Sequence, residues 1–148
     1  MDSTQPDPST ERFELAIAVG SQDIDELGHV NNVVYLRWVQ DAAVAHWRAA
    51  ATAAQQAELA WVVVRHEIEY KHAAHLGDAI IARTWVGTAT AQTFERHTEI
   101  LRASDQRLLA RARTLWCPID AHTGKPTRVH SDVRERFSVP SPDGRSAA

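Results

Sequence analysis

Cysteine is almost missing from this chain. Cys117 is the only one among 148 residues, so no disulfide can form within it. Stability must come from an ordinary core, and a reducing cytoplasmic location is expected. Cys117 lies in the apolar run Leu115-Trp116-Cys117-Pro118 and reads as a small buried hydrophobe rather than a nucleophile. Long apolar runs are missing too. None approaches the roughly 20 residues needed to cross a bilayer, so no membrane partner is expected. There is no basic excess either. The net charge is −3 and the arginines are dispersed, which leaves no electrostatic footprint for nucleic acid. The first residues are polar and carry Pro6 and Pro8, without the basic and apolar regions of a signal peptide.

Several catalytic signatures are also absent. The chain has no G-x-S-x-G elbow, no G-x-x-x-x-G-K-[ST] phosphate loop and no G-x-G-x-x-G turn. Its eight histidines form no H-E-x-x-H, and paired cysteines are lacking, so no metal site is expected. There is no internal repeat, and the only low-complexity segment is the alanine-rich stretch 49–57.

What is present fits one soluble domain. Apolar residues make up 44% and charged residues 24%. Residues 1–11 and 139–148, polar and proline-bearing, are expected to be disordered tails around a domain at 12–138. Phe13, Leu15, Ile17 and Val19 alternate with other residues and predict a strand. A helix follows over 33–48. Arg37, Gln40, Asp41, Val44 and Arg48 form its polar stripe, with an Arg37–Asp41 pair at i,i+4. Its apolar arc, Val33, Tyr35, Leu36, Trp38, Val39, Ala42, Ala43 and Trp47, is wide enough to predict a largely enclosed helix. Residues 49–57 continue it or form a second short helix. In 61–72, Val62, Val64, His66, Ile68 and Tyr70 share one strand face and charged residues share the other. Strands 79–86, 93–102 and 108–119 follow, with Gly87 as an end or bulge and a turn at Ser104-Asp105-Gln106. They make an antiparallel meander. Ser131 is expected to cap a last short helix at 132–136. Without βαβ alternation a parallel sheet is disfavoured, and one antiparallel sheet wrapped on one buried helix accounts for the pattern.

The most unusual stretch is 23–32, Asp-Ile-Asp-Glu-Leu-Gly-His-Val-Asn-Asn, immediately before the long helix. Asn31 or Asn32 is an N-cap candidate, but a cap needs one such residue, not a polar run. A helix N-terminus offers unpaired N–H groups and a positive dipole end, which favour a developing oxyanion. Asp25, just upstream, is placed to act as nucleophile or as base for water at an acyl carbon. Gly28 permits the turn between them.

The run Asp23-x-Asp25-x-x-Gly28-His29-Val30-Asn31-Asn32-x-x-Tyr35 resembles the hot-dog-fold acyl-CoA thioesterases of the 4-hydroxybenzoyl-CoA thioesterase-like group. Residues 70–78 are similar to that family's Y-x-x-P-x-x-x-G-D segment, with Ala73 where proline is usual, and 120–137 to its closing D-x-x-T-G-K-P loop and short helix. The resemblance implies an α+β hot-dog fold, a five-stranded antiparallel sheet around a long central helix. It implies a homodimer joined edge to edge, or a homotetramer, with the site at the subunit interface. It further implies hydrolysis of an acyl-CoA substrate with no cofactor beyond the coenzyme A that the substrate carries. Asp25 matches the catalytic carboxylate, and the backbone around Asn31 and Asn32 matches the oxyanion site. His29 orients the loop or contacts the carbonyl region. Tyr35, Trp38 and His66 are candidate substrate contacts, each with core packing as its plain alternative. The stretch also resembles plant acyl-carrier-protein thioesterases, but Leu27 stands where their catalytic Asn would be. Asp41 is a weaker helix acid. Two other readings share the fold: a dehydratase acting on hydroxyacyl thioesters, and a non-catalytic acyl-CoA-binding protein.

Overall fold

A computed structural model describes residues 10–137. The chain runs β1 (Phe13–Ala18), α1 (Asn32–Ala50), α2 (Ala53–Glu58), β2 (Leu59–Tyr70), β3 (Ala79–Ala89), β4 (Phe94–Arg102), β5 (Arg107–Asp120) and α3 (Ser131–Arg136). A short 3-10 turn, Ser21–Asp23, lies between β1 and α1. The five strands form one antiparallel sheet in the order β1-β3-β4-β5-β2. The expected meander is its centre, and β1 and β2 are its edges. The long helix packs on one face, as the hot-dog architecture requires. Val34, Tyr35, Trp38, Val39 and Ala42 of α1 are buried in one cluster with Ile80, Ala82, Ile100, Ala110 and Ala112 of the sheet.

The sequence patterns hold with instructive exceptions. All five members of the polar stripe on α1 are exposed. Val33, expected in the enclosed arc, is 67% exposed and Val34 is buried in its place. Val33 lies four residues before Arg37 and so falls on the polar stripe. The alanine-rich stretch breaks at Ala51, and Thr52 caps the separate helix α2 through a reciprocal bond with Gln55. At the last helix His130, not Ser131, occupies the cap position, and it makes no side-chain capping bond.

The larger correction concerns β2. The register steps from Val63↔Trp116 to Arg65↔Leu115, so Val64 is an extra residue in a bulge. One extra residue reverses the alternation. Trp61 and Val63 therefore face inward before it, and His66 and Ile68 after it. Val62 and Val64 are exposed, the latter at 56%, and do not share the inner face with His66. Gly87 does sit at a register shift in β3, between Val86 and Ala89. A Cβ there would lie 2.9 Å from the His97 ring, so a side chain at 87 would require that ring to move. Cys117 is half-buried in β5.

Of the segments expected as tails, only Thr10 and Glu11 fall within the described residues. Glu11 is fixed by His46 and Arg136.

Candidate active site

The stretch 23–32 folds as a small hairpin leaning on the start of α1. Ile24 and Val30 form an antiparallel bridge, and the Gly28 N–H donates to the Asp25 carbonyl at 3.1 Å. Gly28 has φ +80°, the left-handed region, where a side chain would be strained. The Asp25 N–H donates to the His29 carbonyl at 2.7 Å. Asp25 then folds its side chain over its own turn. Its Oδ1 accepts from the Leu27 N–H at 2.9 Å and the His29 N–H at 3.1 Å. Oδ2 has no partner among the described residues. One oxygen thus fixes the orientation of the carboxylate.

Asp23 has a different task. It is almost fully buried, with Oδ2 accepting from the Gly20 N–H at 2.9 Å and Oδ1 from Arg37 Nη2 at 3.0 Å. Its carbonyl accepts from the Asn31 N–H at 2.8 Å. Burial pushes its carboxyl up, but the Gly20 N–H and the Arg37 guanidinium outweigh that and hold it below the usual value. Asp23 therefore fastens the hairpin to the second turn of α1. Arg37 is drawn to Asp23, which corrects the expected pair with Asp41.

The end of α1 has one donor left open. Asn31 is the N-cap, with its Oδ1 accepting from the Val33 N–H at 3.2 Å and its carbonyl from the Val34 N–H at 2.9 Å. The Asn32 N–H, the first of the helix, has no partner among the described residues. It sits at the positive end of a 19-residue helix.

Asp25, His29, Asn31, Asn32 and Tyr35 all line one open cavity of about 450 Å³. Trp38 and His66, the other candidates, do not line it. Trp38 is 1% exposed and packs edge-on against Tyr35 at 5.1 Å. His66 is half-buried on the inner face of the sheet, its Nδ1 3.0 Å from Thr114 Oγ1. Burial lowers its pKa. Asp41 is exposed on the polar stripe and is not part of the cavity.

The structure adds groups that the sequence did not single out for the site. Tyr70 lines the cavity, donates its O–H to the Asn32 carbonyl at 2.9 Å and meets Tyr35 edge-on at 5.3 Å. Burial raises both phenols above their usual pKa. Tyr35 Oη accepts from the Ala74 N–H, which ties the segment after β2 to the helix. Lys71 and His72 complete the rim, with Arg107 Nη2 at 3.0 Å from His72 Nε2. The strand pattern ending at Tyr70 and the resemblance of residues 70–78 to the family segment were the signals that pointed to this phenol. Nothing local in the sequence pairs Tyr70 with Asn32, 38 residues away. Among the described residues no group of three His, Cys, Asp or Glu side chains is placed to hold a metal ion. None of their helices is long and apolar enough to cross a membrane.

The fold has counterparts in solved structures. A 1,4-dihydroxy-2-naphthoyl-CoA thioesterase from Synechocystis is 23% identical, with a TM-score of 0.75 over 86% of this chain and 96% of that one. A thioesterase from Thermus thermophilus, complexed with coenzyme A and zinc, is 21% identical, with a TM-score of 0.73 over 84% and 90%. The 12:0-acyl-carrier-protein thioesterase from Umbellularia californica is 17% identical, with a TM-score of 0.71 over 84% of this chain and 49% of that one. At these identities the likeness is one of fold. No curated protein sequence matches the chain closely enough to count as a relative. The family profile of the thioesterase-like superfamily matches residues 19–137, from the end of β1 through α3. The chain therefore belongs to the thioesterase-like superfamily, and the reaction class that membership gives it is thioester hydrolysis.

Proposed function

We propose that the protein hydrolyses an acyl-CoA thioester to a free carboxylic acid and coenzyme A, with Asp25 as the reacting carboxylate. The observation that carries this reading is the pairing in one cavity of an anchored carboxylate and an open helix N–H. Asp25 Oδ1 is held by two backbone donors, while Oδ2 and the Asn32 N–H are unclaimed among the described residues. The thioester oxygen takes the Asn32 N–H and the dipole of α1, where negative charge develops. Asp25 either attacks the carbonyl carbon or removes a proton from the attacking water. If Asp25 removes the proton from water, the water oxygen bonds to the carbonyl carbon, the C–S bond breaks, and the thiolate leaves with a proton. If Asp25 attacks, the C–S bond breaks to leave an acyl–Asp25 anhydride and a protonated thiol, and water then cleaves the anhydride to the free acid and restores the carboxylate. His29 and Tyr70 position the loop and the helix end around the carbonyl. Lys71, which also pairs with Glu69 at 3.0 Å, and Arg107, beside the rim residue His72, are the basic groups placed to meet the phosphates of coenzyme A.

Tyr35 is the one candidate substrate contact that lines the cavity. Trp38 supports it from behind, and His66 belongs to the sheet. The working form is a homodimer or homotetramer, and the cytoplasm is the setting. Supporting the assembly, Val62 and Val64 are exposed on the unpaired edge of β2, and Leu27, Val33 and Tyr70 are exposed nearby.

A free-thiol assay across acyl-CoA and acyl-carrier-protein thioesters tests the reaction. Thiol release from at least one acyl-CoA is expected. Hydration or dehydration without thiol release would instead make the protein a dehydratase. Binding without any turnover would make it a sensor.

A further inference from the structure

The backbone donors at the start of α1 are almost all spent. The first N–H groups of a helix have no carbonyl partner within it. Here the Asn31 N–H donates to the Asp23 carbonyl at 2.8 Å, the Val33 N–H to Asn31 Oδ1 at 3.2 Å and the Val34 N–H to the Asn31 carbonyl at 2.9 Å. Of these four residues, Asn32 alone has a backbone N–H without an acceptor among the described residues, and it lines the Asp25 cavity. A thioester oxygen that becomes an oxyanion can accept more than one hydrogen bond. Oxyanion sites are built from backbone N–H groups, side-chain amides or both.

The nearest such amide is the Asn31 side chain. Which of its ends carries the donors follows from the cap it makes. A backbone N–H only donates, so the atom that meets the Val33 N–H is oxygen. The other branch is therefore the NH2 group, with two donors and no acceptor among the described residues. Asn31 is exposed and lines the same cavity as Asp25 and Asn32. Its backbone N–H is taken by Asp23, so the NH2 group is the donor that Asn31 can offer a ligand.

Asn31 is also held from both sides. The Ile24–Val30 bridge closes the hairpin just before it. The Asp23 carbonyl fixes its N–H, and Asp23 is itself fastened to Arg37 of α1 at 3.0 Å. The cap then pins its side chain to the first turn of the helix. A donor fixed in this way needs no reorganisation when charge develops in front of it. The neighbouring Asn32 side chain makes no hydrogen bond among the described residues, so nothing sets the direction of its amide.

We propose that the side-chain NH2 group of Asn31 is a second oxyanion donor, which makes Asn31 a catalytic residue through its side chain; the assignment rests on the hydrolase reading of the Asp25 cavity. The thioester oxygen lies at the helix end and takes both the Asn32 N–H and the Asn31 NH2. Both bonds strengthen as the carbonyl carbon becomes tetrahedral and its oxygen becomes charged. One amide thus serves two ends: its oxygen caps α1 and its nitrogen meets the substrate. A bond that strengthens only in the transition state raises kcat and leaves KM nearly unchanged.

Two substitutions separate the two ends of the amide. N31S keeps a capping oxygen and removes the NH2 group. N31D also keeps the cap, and its charge suits the helix end but repels an oxyanion. Rates are read as thiol release from whichever of acetyl-, octanoyl- and benzoyl-CoA the wild-type protein turns over fastest, with D25N measured beside them. The proposal expects kcat to fall by roughly 10² in N31S with KM nearly unchanged, and to fall further in N31D. Circular dichroism and the unfolding midpoint are expected to stay close to wild type in both. A residue that only caps the helix would leave kcat at the wild-type value in both variants. If one variant fails to fold, the other decides. Wild-type kcat in a folded N31S or N31D would overturn the proposal, and with D25N inactive the hydrolase reading would survive it. Absence of thiol release by the wild-type protein would instead remove the hydrolase reading, and this assignment with it.

Discussion

Asp25 and Asn32 divide the proposed chemistry between a side chain and a backbone. The backbone half can be tested alone. Asn32 is the first residue of α1, and Asn31 before it is already extended at φ −61°, ψ 138°. Proline fits both requirements: it suits the first helical position and tolerates an extended predecessor. N32P therefore deletes the open N–H with little strain. Turnover is expected to fall by roughly 10²–10³ with the melting temperature nearly unchanged, in line with the loss of an oxyanion donor. Asp23→Ala should do the reverse in character. It strands the Gly20 N–H and frees Arg37, with a loss of about 1–3 kcal/mol by denaturant unfolding. It should also lower activity by loosening the hairpin. Asp25, His29, Asn31 and Asn32 were legible because all four lie within eight residues of one turn. Local chemistry is written in local sequence. The cluster of Glu11, His46, Arg96 and Arg136 was not legible, because three separate elements and a segment before β1 bring it together.

Among the elements, α1 and the meander followed their hydrophobic periods, and β2 did not. The bulge at Val64 left no mark in composition, so strict alternation carried the inner face through to the wrong residues. Capping showed a related limit, because Ser131 has suitable chemistry but His130 has the geometry. Thr52 has both, and Thr52→Ala is expected to cost about 0.5–2 kcal/mol in unfolding measurements. The packing of α1 against the sheet also carries a pH dependence. His46 has a folded pKa of about 4 against an ordinary 6.5. The unfolded chain then binds the proton more readily, so stability is full above 6.5 and falls as pH drops through that window. Glu11, held below its usual value, adds a loss in the same direction at lower pH, because burial is outweighed by Arg136 and His46. The His46 part is on the order of 3 kcal/mol. Urea unfolding at either end of the window should show it, and H46Q, which does not titrate, should flatten the slope.

For the whole molecule, the strand order leaves β2 as an edge, and Val62 and Val64 stand exposed along it. A second copy pairing there would cover them. Val64→Lys places a charge on that edge and is expected to shift sedimentation toward the monomer and to reduce activity in parallel. The fold class was readable because element order and hydrophobic period suffice for it. The state of assembly was not, since an edge strand reads the same whether or not a neighbour adds to it. The central claim concerns what the whole chain does with a thioester. It is tested most directly by comparing thiol release from acyl-CoA substrates by the wild-type protein and by D25N. The account predicts a loss of turnover by orders of magnitude in D25N, with the fold and its unfolding midpoint intact. Near-normal release of thiol by D25N from every good substrate would contradict it.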